Sequence, residues 1–303
     1  MNKFYGEKVY KEFGNFSGYL EETECPICIH PPVPKLIFRK KEGVSILKCP
    51  NCGVLYASPR FDPPSIDKIY ENEAFCDMSR YDNWSYNEWI QMGGRGQNVS
   101  KLKTELIKRF LPIGSSVLDV GCGVGEFVCV ALNNGLKAEG IDISNMLIST
   151  GRSKLNVPIY QTDIQNYKPS HNYDAIMIWD VLEHLVNPVE ILNACNSLLN
   201  DNGYLFAQVP NYKGISNRLK SFINRIGFIK KNYGHFGFPY HLYSFDRKSL
   251  SFLYKQAGFT AIHYESWSHL LKENKHGLLN DFFISISKKY CLTDYITAVV
   301  KKI

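Results

Sequence analysis

The sequence predicts an α/β protein: a mostly parallel sheet with helices on both faces, preceded by a small ribbon stapled by a metal. Three observations predict it. Between residues 115 and 210, short apolar runs alternate with helical patterns, as a sheet covered by helices requires. The apolar run Val117–Val120 breaks into a turn with Gly at 121, 123 and 125, then resumes as a helical pattern through Val128, Ala131 and Leu132. Near the start, two Cys-x-x-Cys pairs stand 20 residues apart.

The 303 residues exceed one common domain, so a large domain with a small appendage is expected. A hydrophobic content of 45% and a charged content of 21% suit a chain that buries a core. No uninterrupted apolar run approaches the ~18 residues of a membrane span. The start Met1-Asn2-Lys3-Phe4-Tyr5-Gly6 lacks the apolar stretch of a secretory signal, so a cytoplasmic location is expected. In that setting the nine cysteines do not read as a disulfide framework. Cys76, Cys122, Cys129, Cys195 and Cys291 are scattered and read as reduced, mostly core residues.

The ribbon is assigned to residues 1–60. Residues 1 to 24 form a lead-in without a functional signal. Cys25-Pro26-Ile27-Cys28 and Cys49-Pro50-Asn51-Cys52-Gly53 then supply four thiolates, the number a tetrahedral zinc ion takes. Alternating Val44, Ile46 and Lys48 predict a strand into the second knuckle. His30 reads as a surface residue, because four cysteines already complete the set. A ribbon that grips nucleic acid should be basic, but residues 1–80 hold eleven Lys/Arg against eleven Asp/Glu. Nucleic acid is therefore not favoured, and a metal-stapled structural module is.

Residues 61–110 form a connector rich in aromatics: Tyr70, Phe75, Tyr81, Trp84, Tyr86 and Trp89. It ends in a predicted helix marked by Val99, Leu102, Leu106, Ile107 and Phe110 and stopped by Pro112. A large domain follows over 111–303. Its strands are predicted near 115–119, 137–142, 157–161, 174–180, 203–209, 259–267 and 295–302, with helices from Asp246 to Gly258 and over 276–290.

The loop Asp119-Val120-Gly121-Cys122-Gly123-Val124-Gly125-Glu126 lacks the third Gly of a dinucleotide fingerprint at the required spacing, and no Gly-Lys-Ser/Thr follows it. It resembles the first motif of class I S-adenosylmethionine-dependent methyltransferases, acidic-x-Gly-x-Gly-x-Gly. The resemblance covers residues from about 100 to the end. It implies a Rossmann-like, mostly parallel seven-stranded sheet with an antiparallel terminal strand, and S-adenosylmethionine as cofactor beside Zn2+ in the ribbon. It places Asp119, Gly121, Cys122, Gly123 and Gly125 around the cofactor. Asp142 would take the ribose hydroxyls, Ile143 beside it would also line the cofactor, Asp163 would take the adenine amino group, and Ile164 would pack near the ring. The connector would act either as core or as a lid.

The fourth predicted strand delivers Trp179-Asp180-Val181-Leu182-Glu183-His184, which resembles a subset that includes ubiquinone-pathway O-methyltransferases and many sugar methyltransferases. Trp179 and Asp180 would face the sulfonium and the substrate. Glu183 and His184 would support the site, bind a divalent ion or move a proton. The late run Tyr240-His241-Leu242-Tyr243 resembles the segment whose histidine overlies the acceptor, making His241 the first candidate base and His235 the second. A free imidazole titrates near ~6.5 and can take a proton at neutral pH.

Residues 211–240 look like a basic insertion, since 211–260 hold nine Lys/Arg against Asp246 alone. The helical pattern within 211–231 packs on the sheet, closes over an anionic substrate, or makes peripheral contact with a membrane. With the ribbon ending Cys-Gly-Val-Leu-Tyr-x-x-Pro-Arg, the chain resembles sugar-modifying methyltransferases of surface-polysaccharide pathways, including deoxysugar C-methyltransferases. The expected function is methylation of a nucleotide-linked or glycan-linked sugar by direct displacement, with a small-molecule or glycan substrate as the partner. The alternatives are an RNA base methyltransferase that uses the ribbon for recognition and a non-catalytic adaptor. The acceptor, the methylated atom and the oligomeric state are not encoded in any motif.

Overall fold

The computed structural model describes residues 19–28, 32–39, 43–71, 95–215, 217–218, 241–267, 286 and 290–303. Among these, the strands in chain order are β1 (Leu20–Glu21), β2 (Lys35–Arg39), β3 (Ser45–Lys48), β4 (Leu55–Ser58), β5 (Arg60–Phe61), β6 (Ser116–Val120) and β7 (Lys137–Asp142). They continue as β8 (Ile159–Gln161), β9 (Tyr173–Trp179), β10 (Leu199–Pro210), β11 (Tyr243–Ser244), β12 (Phe259–Trp267) and β13 (Tyr295–Lys302). The helices are α1 (Pro63–Glu71), α2 (Arg95–Lys108), α3 (Glu126–Asn133), α4 (Asn145–Leu155), α5 (Pro188–Leu198) and α6 (Arg247–Gln256). One 3-10 turn spans Leu182–His184.

The chain divides into two compact units, neither of them a continuous segment. One comprises Met1–Asp67, Asp180–Glu190 and Ala207–Val300; the other comprises Lys68–Trp179, Ile191–Phe206 and Lys301–Ile303. In the first, β2, β3 and β4 pair antiparallel in sequence, and β11 adds to β4 in the order β11-β4-β3-β2. Val44 and Ile46 are fully buried while Ser45 and Leu47 are half-exposed, so the predicted alternation does mark a one-sided strand. At the second knuckle Gly53 adopts φ +86°, a conformation that favours glycine, and its N–H donates to the Cys49 carbonyl at 2.9 Å. The predicted cap Asp246 closes α6 in a capping box, accepting from the Ser249 N–H while the Ser249 hydroxyl lies 2.9 Å from the Asp246 N–H.

In the second unit β6 pairs parallel with both β7 and β9, and β7 pairs parallel with β8. Val117, Leu118, Ile176, Met177 and Ile178 are completely buried in the centre of this sheet. Helix α3 starts at Gly125 and buries Phe127 through Ala131 without interruption. Glycine also permits close packing at α4, where a Cβ on Gly151 would lie 2.3 Å from the Val124 carbonyl oxygen.

The large sheet has seven strands in the order β12-β13-β10-β9-β6-β7-β8, mostly parallel with antiparallel terminal strands, which is the expected Rossmann-like arrangement. β12 and β13 have the predicted limits. β10 starts four residues earlier than predicted, at Leu199, and Asn202 within it takes φ +64°. The 157–161 strand starts only at Ile159, after Pro158. The connector aromatics from Phe75 to Trp89, His30, Cys76 and His235 lie outside the described residues, as do most of 211–240 and of the predicted helix 276–290.

Candidate active site

The glycine loop turns on backbone that side chains rarely adopt: φ is +75° at Gly121, +58° at Gly123 and +81° at Gly125. It is pinned to the end of β7. The Gly121 and Cys122 N–H groups donate to the Ile141 carbonyl, and the Gly123 N–H donates to Asp142 Oδ2 at 2.9 Å. Asp142 Oδ1 accepts the Ser144 N–H at 2.9 Å. Each carboxylate oxygen thus gives one lone pair to the backbone and keeps another for a ligand. Burial raises the pKa of this carboxyl above its ordinary value against the pull of those N–H donors. Among the described residues, a Cβ on Gly123 would meet no atom within 4 Å, so the loop opens into space there, while one on Gly125 would strike Val157 at 2.8 Å.

At the end of β6, Asp119 is buried, and its Oδ1 has no hydrogen-bond partner among the described residues. Burial raises its carboxyl to about 7, although Lys103 pulls it down; Asp142 adds to the rise. Trp179, ending β9, packs edge-on against Phe127 at 5.8 Å and lies under the Lys103 ammonium, 4.7 Å from its ring centroid. Its indole Nε1 is buried and likewise unpartnered among the described residues. An orphaned acceptor, an orphaned donor and a cation therefore belong to one unit. Lys103 went unread in the sequence, where a lysine on an amphipathic helix looks like a solvated face.

Desolvation, then Asp119 and Asp142, push the Cys122 thiol well above its ordinary value, which disfavours the thiolate a nucleophile needs. Ile143, just past Asp142, is 53% exposed, an apolar side chain left open. Ile164 is buried, and Asp163 accepts the Asn166 N–H at 2.8 Å and the Asn166 amide at 2.7 Å. Burial works to raise the Asp163 pKa, but those bonds outweigh it and hold the carboxyl below its ordinary value.

In the other unit, Asp180 takes φ +57°, which is uncommon for a non-glycine residue. Gln208 holds it there. Its side-chain amide donates to both Asp180 oxygens at 3.0 and 2.8 Å, and its backbone carbonyl accepts the Asp180 N–H at 2.9 Å. Gln208 was a missed residue; its signal is a lone polar side chain in the apolar run Leu205-Phe206-Ala207-Gln208-Val209.

Glu183, His184 and His241 come together, with one ligand atom from each within 4.8 Å of the others, a set that could hold a divalent cation. The two imidazoles meet edge to face at 4.8 Å, and His184 Nε2 lies 3.9 Å from Glu183 Oε1. Burial, followed by the nearby His184, pulls His241 down to about 3, so the free-imidazole value does not apply and its ring is neutral at pH 7.

The four ribbon thiols also converge, with Cys25 Sγ 3.5 Å from Cys52 Sγ and Cys28 Sγ 3.7 Å from Cys49 Sγ. Tetrahedral ligands at 2.3 Å from a zinc ion stand about 3.8 Å apart. Hydrogen bonding from Cys52 pulls Cys25 down to about 5, while burial pushes Cys28 up to about 11, so the buried thiols do not all ionise unaided. A divalent cation would relieve that conflict.

A glycine loop closed by an acidic residue at the carboxyl end of the first parallel strand, with a second carboxylate ending the next, defines a nucleoside-binding α/β site. The family described as a methyltransferase domain matches residues 95–264, and the chain belongs to that family. Among curated proteins it is similar to a ubiquinone biosynthesis O-methyltransferase of Hydrogenovibrio crunogenus, 23% identical over 47% of this chain and 63% of that protein. Another of that name, from Xanthomonas axonopodis pv. citri, is 31% identical over 41% of this chain and 57% of its own length. The chain thus spans less than two thirds of these relatives. Among solved structures, magnesium protoporphyrin IX methyltransferase from Synechocystis with bound SAH has a TM-score of 0.54 at 15% identity, covering 80% of this chain and 100% of that one.

Proposed function

We propose that the chain transfers a methyl group from S-adenosylmethionine to a sugar, nucleotide-linked or part of a surface-glycan precursor, by direct displacement. The observation that carries methyl transfer is the loop of three positive-φ glycines fastened to Asp142 and opening into space at Gly123. The residues fit the cofactor. Asp142 keeps lone pairs for the ribose hydroxyls, with Asp163, Ile164 and the exposed Ile143 assigned to the adenine. An amino-acid end, with an ammonium and a carboxylate, answers the unpartnered Asp119 Oδ1 and Trp179 Nε1 and the Lys103 charge. Bound there, the cofactor supplies a methyl carbon made electrophilic by its sulfonium.

The chain's own contribution is positioning, with a base worth a further ~10²-fold to 10⁴-fold when the nucleophile is a hydroxyl. His241, neutral at pH 7, accepts a hydrogen bond from that hydroxyl. The hydroxyl's proton leaves through the His184–His241 pair, whose rings meet at 4.8 Å with Glu183 Oε1 3.9 Å from His184 Nε2. Asp180, fixed by Gln208, orients the acceptor. The four ribbon thiolates hold a zinc ion that closes the module. A second reading, O-methylation in ubiquinone biosynthesis, is favoured by the names of the curated relatives.

One experiment separates these readings: transfer of a radiolabelled methyl group from S-adenosylmethionine into cell extract fractionated into glycan, small-molecule, lipid and RNA pools. Label in glycan or nucleotide sugar is expected. Label confined to lipid supports the second reading, and label in RNA overturns both. Asp142→Ala should weaken cofactor binding about 10-fold to 100-fold by removing charge-assisted hydrogen bonds. Unchanged affinity in a calorimetric titration would remove the cofactor assignment.

A further inference from the structure

We infer that the four-cysteine ribbon is a positioning device for the His184–His241 pair, and that Arg60 is the residue through which it acts. The inference rests on reading that pair as the acceptor side of the site. The connections all lie within one compact unit. Leu242, next to His241, is stitched on both sides: its carbonyl accepts the Ala57 N–H of β4 at 3.1 Å, and its N–H donates to the Glu183 carbonyl at 2.8 Å. β11 follows at once, pairing Tyr243 with Tyr56 and Ser244 with Leu55. A two-residue strand has no stability of its own. The place of His241 is therefore set by β4, and β4 begins three residues after Cys52.

Arg60 fastens the other side of the same turn. Its Nη1 donates to the Tyr243 hydroxyl at 2.7 Å and to the Val186 carbonyl at 3.1 Å, and that hydroxyl donates to the same carbonyl at 2.8 Å. Arg60 Nε is held by Glu21 Oε1 at 3.0 Å. Its side chain is only 11% exposed and Tyr243 is buried, so these bonds are sheltered from water. Val186 lies two residues after His184. One guanidinium thus clamps the segment after His184 to the segment after His241, and a rigid fork of donors suits that task better than an ammonium. A separate link joins the second knuckle to the start of α6, where the Tyr212 hydroxyl reaches Asp246 Oδ2 at 3.1 Å and the Gly53 carbonyl at 3.4 Å. A module that only stapled the N-terminus would need none of these bonds.

The test uses the full zinc-loaded chain and its Arg60→Met variant. Readouts are amide hydrogen exchange, the ring signals of labelled histidines, zinc content, and S-adenosylmethionine affinity by calorimetry. Arg60→Met is expected to keep its zinc and to hold cofactor affinity within about twofold, while exchange at Leu242 and Tyr243 rises by about tenfold or more and the His184 and His241 signals shift. Tyr243→Phe, which removes one hydroxyl, should move the same amides and signals less far, and it stands in for Arg60→Met if that variant fails to fold. Chelation of the zinc should reproduce the pattern. Opening of Ser45–Ser58 with Leu242 and both histidines unmoved would show an independent staple and overturn the inference. If the signals move as expected but His241→Ala keeps full turnover, the coupling stands and the acceptor reading alone falls.

Discussion

Asp119 shows how one buried carboxyl ties the site to pH. Its pKa is raised from 3.8 to about 7, so the folded chain holds this proton more tightly than the unfolded chain does. The sign follows: stability without cofactor falls as pH rises from about 4 to about 7, then levels off. A ligand ammonium needs the ionised form, so cofactor binding below pH 7 should release a proton. Affinity should then weaken by as much as about tenfold per pH unit as the solution is made more acidic. Calorimetry in buffers of different ionisation enthalpy measures that proton, and its absence would remove Asp119 as the cofactor's partner. Lys103→Met takes away the charge that holds Asp119 down, and the weakening should then begin at higher pH. His241→Ala is expected to lower turnover while leaving cofactor affinity unchanged, measured by initial rates beside calorimetry. The aspartates and histidines were legible because each ends an apolar run or sits in a dense motif. Lys103 was not, because its meaning depends on Trp179 and Asp119, which stand far away in the sequence.

At the scale of elements, the glycine loop separates packing from binding. Gly125→Ala combines a positive φ with a Cβ 2.8 Å from Val157, which predicts a loss of about 2–4 kcal/mol from backbone strain and overpacking. Gly123→Ala carries only the strain, about 1–2 kcal/mol, because its Cβ would meet no atom among the described residues. Its larger effect should be on cofactor affinity. Urea unfolding beside calorimetry distinguishes the two, and equal stability losses would contradict the open cradle. The long strands and the Asp246 cap were readable because periodicity and capping are local. The first residues of β10 were not, because Asn200-Asp201-Asn202-Gly203 carries no apolar alternation. β11 was equally hidden: two residues hold no period, and only β4 makes them a strand.

At the scale of the molecule, the ribbon read as residues 1–60 shares a sheet and a buried arginine with residues 182–186 and 241–245. Among the described residues no helix is long and apolar enough to cross a membrane. A ribbon committed to internal contacts, with a neutral N-terminal region around it, predicts weak RNA retention with a shallow salt dependence. A filter-binding titration across salt concentrations checks this, and a steep slope would restore the recognition reading. The sequence by itself determined the parallel sheet, the glycine loop with its carboxylates, and the four-cysteine set, because each is written as local spacing of residue types with one dominant physical use. Only the tertiary structure decided that desolvation and His184 hold His241 below the free-imidazole range, that Gln208 holds Asp180 in a strained conformation, and that the ribbon strand β4 runs beside the segment of His241. Those outcomes depend on desolvation and hydrogen bonds between residues far apart in the chain, and no local pattern encodes them.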